Sequence, residues 1–136
     1  MSTATKVKIK KRKSLKKECD DLLRELCLLR AKNKSELSGK SDILQVHHLV
    51  GKPNYFLRYH LENCIVITIG EHFWIAHNPD RIELFRDKIK AIRGQDIYER
   101  LEQYRQLNVK TDLTLIKLYL KQEIEKIKNG TIHNKM

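Results

Sequence analysis

Cysteine, proline and glycine are all scarce in this chain of 136 residues, which has three, two and five of them respectively. The cysteines stand at 19, 27 and 64, an odd count with no CxxC pair. That makes a poor disulfide framework and fits reduced thiols in a cytoplasmic setting. No stretch approaches the roughly 18–20 apolar residues that span a bilayer, so no membrane partner is expected. The charged N-terminus is not followed by an apolar segment, which excludes a secretory signal.

Acid is also in short supply. There are 17 Asp and Glu against 28 Lys and Arg, giving a formal net charge of +11. Such an excess attracts polyanions, and nucleic acid is the commonest of these. The excess is uneven, because residues 1–17 hold eight Lys or Arg and no acid. Residues 1–13 therefore read as a disordered basic arm, with Lys10, Lys11, Arg12 and Lys13 available to lie along phosphates.

The few glycines and prolines punctuate the rest of the chain. A helix over 14–32 is predicted, capped by Ser14, with Cys19, Leu22, Leu23, Leu26 and Leu29 in a stripe. Ile43 to Val50 reads as a strand, ended by Gly51-Lys52-Pro53-Asn54. A loop through 55–59 leads to a second strand at Cys64 to Ile69, and a short helix is expected from Glu71 to His77. Amphipathic helices come next over 81–93, stopped by Gly94, and over 95–106. The last helix has Leu115, Leu118, Tyr119, Ile124 and Ile127 in its stripe and is closed by Gly130. The division is an arm at 1–13, a helix at 14–32, a core at 33–95 and C-terminal helices at 96–136.

Histidines gather in that core. His47 and His48 are adjacent at a strand end, so they point to opposite sides of the backbone. Asn63 comes fifteen positions after His48, and His72 and His77 flank an aromatic-rich turn with Phe73 and Trp74. With the flanks Val46 to Val50, Tyr55 to Tyr59 and Leu61 to Asn63, the stretch 33–95 resembles the HNH endonucleases, or ββα-metal nucleases. It is closest to phage-type members, and among them it resembles recombination nucleases of the NinG kind.

The resemblance implies an α+β fold with a ββα-metal core embedded in helices. It implies an endonuclease that hydrolyses DNA with one divalent ion (Mg, Mn, Ni or Zn), in the cytoplasm of a bacterial host if the gene is a phage's. His47 would be a metal ligand and His48 the general base. Asn63 would orient His48 or join the metal shell, and His72 would complete the site. His77 is five residues beyond His72, about 140° round an ideal helix. Either the helix is distorted there or only one of the two binds. Lys52 and Arg58 lie between the strands and are candidates for holding phosphate oxygens, with a structural salt bridge the alternative for Arg58.

Many members also carry a structural zinc on two CxxC pairs. The matching positions here are Ser35, Ser38, Thr68 and Glu71, which make no zinc ligand set, so no structural zinc is expected. Phe73 and Trp74 read as core anchors, and His60 as a structural or surface histidine. The competing reading is a non-catalytic basic nucleic-acid-binding protein that retains the fold.

Overall fold

The computed structural model describes residues 3–51, 55–107 and 110–134, with the side chains of 3–13 and 131–134 outside the description. The chain is mixed α+β and mostly helical, with one two-stranded antiparallel sheet among the described residues. The elements are α1 (Thr3–Arg30), β1 (Leu44–His48), α2 (Tyr55–Arg58), β2 (Cys64–Thr68), α3 (Ile69–Glu71), α4 (Ile82–Arg93), α5 (Ile97–Gln106) and α6 (Leu113–Asn134). Short 3-10 turns precede β2 and α4, and a π-helical turn at His72–Ala76 follows α3.

The sheet is the middle layer. β2 is buried at every position, so it reads as an unbroken apolar run and not as an alternation. Its Cys64 and Val66 join Cys19, Leu23, Leu26 and Cys27 of α1 and Leu120 and Ile124 of α6 in one core cluster. Ile65 and Ile67 point the other way, into a second cluster with Leu57, Phe85, Ile89, Ile97 and Leu101. The two-residue period of a strand thus sends alternate side chains into two cores. β1 is half-buried throughout, and its register sets His47 opposite Ile65 and His48 opposite Cys64. The adjacent histidines therefore belong to different faces.

Several expectations shift. The helix expected from Ser14 begins at Thr3, so the basic segment read as a disordered arm is helical from there. The side chains of Lys10, Lys11, Arg12 and Lys13 lie outside the described residues, as does Lys52. α1 ends where Lys32 and Asn33 take the left-handed conformation, each at φ +56°. Asn33 N–H then caps Leu28 O at 2.9 Å. The loop expected at 55–59 contains α2. α6 passes through Gly130 to Asn134. Its buried stripe is Leu113, Leu120 and Ile124 with Ile116 and Ile127 beside it, while Leu115, Leu118 and Tyr119 stay exposed.

Candidate metal centre

The hairpin and the turn after it assemble the histidines. Thr68 ends β2 and starts α3 with a capping box: its hydroxyl accepts from Glu71 N–H, and the Glu71 carboxylate accepts from Thr68 N–H. The chain then widens into the π turn, in which His77 N–H donates to His72 O at 3.2 Å across five residues. A turn closed by an i→i+5 bond sets residues five apart on one side. This resolves the five-residue spacing: His77 Nε2 lies 2.9 Å from His72 Nε2, and the rings meet edge to face at 4.3 Å. The expected distortion is this π turn.

His47 comes from β1 to meet them, with its ring 5.3 Å from that of His72 and 5.5 Å from that of His77. One ring nitrogen from each of His47, His72 and His77 lies within 4.8 Å of the other two. Burial lowers the pKa of His47 to about 4, and the neighbouring imidazoles His72, His77 and His48 push it the same way. Burial, then His77, lowers that of His72. The Nδ1 of His72 is buried with no hydrogen-bond partner among the described residues. His47 and His72 are thus held neutral, the form that ligates. Three imidazoles fit a borderline divalent cation better than magnesium, which prefers oxygen. The group could bind a metal ion.

His48 lies on the opposite face, away from this trio. Its Nε2 is 2.9 Å from Arg58 O, in a cleft shared with Asp20, Arg24 and Val46. A carbonyl oxygen only accepts, so Nε2 carries the proton and Nδ1 of the neutral ring bears the lone pair. The expected phosphate contact of Arg58 gives way to its alternative. Arg58 forks onto Asp20, Nε to Oδ1 at 2.9 Å and Nη2 to Oδ2 at 2.8 Å, and Tyr59 Oη donates to the same carboxylate at 2.8 Å. Burial raises the pKa of Asp20, but the Arg58 and Tyr59 donors outweigh it and hold the carboxyl below its usual range.

Asn63 does neither of the things expected of it. It is fully buried, and all its bonds go to backbone. Its Oδ1 accepts from Val50 N–H at 2.8 Å, and its Nδ2 donates to Val50 O and Leu57 O at 3.1 Å each. It clamps Val50, two residues after His48, to Leu57 of α2.

The four positions matched to the structural zinc do converge. Ser35 Oγ donates to Glu71 Oε1 at 2.6 Å and accepts from Ser38 N–H at 3.2 Å. The same Glu71 oxygen accepts from Thr68 N–H at 2.9 Å. A carboxylate and three hydroxyl-bearing residues thus tie the segment before β1 to the end of β2.

Other residues were not anticipated. Arg86 lies with its guanidinium 5.0 Å over the ring of Tyr98, in a cleft of about 600 Å³ that also includes Leu49, Gly51 and Arg105. Arg105 is bound to Glu102, whereas Arg86 has no ion-pair partner among the described residues. Its neighbour Phe85 packs edge to face on the His47 ring, with centroids 5.6 Å apart. In sequence Arg86 is one more charge on an amphipathic face. Phe73 and Trp74 are not core anchors: they are 65% and 67% exposed. His60 is structural, stacked on Phe56 and packed against Tyr104. No helix among the described residues is long and apolar enough to cross a membrane. No family model, curated protein or solved structure matches the chain.

Proposed function

We propose that this chain is a metal-dependent phosphodiesterase acting on DNA, an endonuclease with HNH-type chemistry. The observation that carries the reading is the convergence of His47, His72 and His77, one ring nitrogen from each within 4.8 Å of the other two. The trio would hold one divalent ion, manganese, nickel or zinc before magnesium. Such an ion polarises a phosphate and stabilises the departing oxygen. His48 is the candidate acceptor of the proton from the attacking water, since a neutral imidazole takes a proton near pH 7. Arg86 replaces Arg58 as the guanidinium available to phosphate oxygens. The excess of positive charge draws the polyanion in.

The test is cleavage of plasmid DNA by the full chain with Mn²⁺, Ni²⁺, Zn²⁺ or Mg²⁺. Cutting that chelator stops is expected, and His48→Ala should abolish it while DNA binding persists. One observation favours the second reading, a non-catalytic basic nucleic-acid-binding protein: His48 stands in a different cleft from the trio. DNA binding without cutting in any of these ions would favour that alternative.

A further inference from the structure

The face of β1 that carries His47 is bordered at both ends. Past His47, Leu49 and Gly51 line the Arg86 cleft. Before it, Ile43 lines a second groove of about 480 Å³ with Ile69, Trp74 and Ile75. These two borders differ in chemistry. The Arg86 cleft offers a guanidinium to an anion. The second groove has Lys40 and Arg81 against Asp42 and Glu71, so its charges balance, and Glu71 is already engaged by Ser35 and Thr68. What the groove offers is an exposed indole and an exposed isoleucine: Trp74 is 67% and Ile43 73% accessible. Large apolar side chains left in water on a strongly charged protein mark a contact surface.

We infer that the Trp74–Ile43 groove is a subsite for an unpaired nucleobase, which makes nucleic acid with single-stranded stretches the preferred partner. The inference rests on the nucleic-acid reading above. A base is a flat, uncharged ring on an anionic backbone, and it stacks on an aromatic face without regard to sequence. A neutral aromatic groove suits the base, and the cationic cleft at the other end suits the phosphates. A paired base is held inside its duplex and cannot reach an indole. Ile43 is four residues before His47, about 13 Å along a strand at 3.3 Å per residue.

Trp74 is the sole tryptophan of the sequence, so its emission reports on this groove alone. The full chain is titrated in chelator with a fluorophore-labelled oligothymidylate, and separately with a blunt duplex and with heparin. Label anisotropy measures binding, and Trp74 emission measures stacking. Quenching by the single strand is expected, with little change from duplex or heparin. Trp74→Ala should weaken single-strand binding about tenfold, within the range for one stacked base, and leave duplex binding unchanged. Its unaltered circular dichroism would show that the fold is intact. The subsite is overturned by constant emission while anisotropy saturates, by equal quenching from heparin, or by equal weakening of both DNA forms. Cleavage is read separately with metal added. Cutting without quenching sinks the subsite and keeps the phosphodiesterase. Quenching without cutting keeps the subsite and sinks the phosphodiesterase, and no binding at all sinks both.

Discussion

On one face of β1, His47 meets two other imidazoles; on the other, His48 sits beside an ion pair with Nε2 held by Arg58 O. The first cluster consists of imidazoles alone, so it offers a cation lone pairs but no negative charge. The second is complete without any ion: Asp20, Arg58 and Tyr59 satisfy one another. One residue of separation along a strand decides which environment a histidine enters. Identical side chains meet different partners according to the face they occupy, not through their own chemistry.

The comparison breaks most visibly under metal. Zinc or nickel at about a hundred times its dissociation constant should stabilise the protein by about 2.7 kcal/mol, raising the melting temperature by roughly 10 °C. His47→Ala and His77→Ala should erase that shift, and His48→Ala should keep it. A shift that survives His47→Ala and disappears with His48→Ala would reverse the assignment of the two faces.

A smaller effect sharpens the other side. Asp20→Asn removes the forked partner of a largely buried guanidinium and should lower unfolding stability by about 1–2 kcal/mol. Metal affinity, measured by calorimetry, should not change. A loss of affinity would mean that the two faces communicate through the strand.

A third effect is on pH. In the metal-free protein, burial first and the neighbouring imidazoles next hold His47 near pKa 4, against 6.5 for an ordinary histidine. Between those values the unfolded chain binds more protons, so stability is present above the window and is lost as pH falls through it. Urea midpoints at pH 7 and pH 5 should differ accordingly, and His47→Ala should shallow the slope. An unchanged slope would show that the ring is not withheld from protons.

Much of the fold is legible in the sequence where local signals are strong. The β-branched run of β2 and the stop at Gly94 declare themselves within a few residues. The gathering of His47, His72 and His77 agrees with their pattern, and the odd spacing of the last two already signals a distorted helix. What escapes depends on distant partners. Arg58 looks free in the sequence because Asp20 is 38 positions away, on a helix that reads only as amphipathic. Asn63 looks chemical because its backbone partners at Val50 and Leu57 are set by a loop whose shape the sequence does not declare. Phe73 and Trp74 look like core because size and apolarity predict burial, yet a turn of nonstandard width faces them outward. The stripe of α6 is misphased for a related reason. Leucines and isoleucines crowd that helix on several sides, and only α1 determines which of them are covered.

The π turn has a consequence for how this chain tolerates changes in length. In an ordinary helix, one inserted residue swings everything beyond it by about 100°. Here the surplus is taken up between His72 and His77 by a single wider loop of backbone. A variant shortened by one residue within Phe73–Ala76 would fall back to an ordinary turn with its imidazoles four apart, still on a common side. Four-residue and five-residue separations are therefore interchangeable solutions of one spatial requirement, and insertions or deletions at this spot are the kind a lineage can accept without rebuilding its centre.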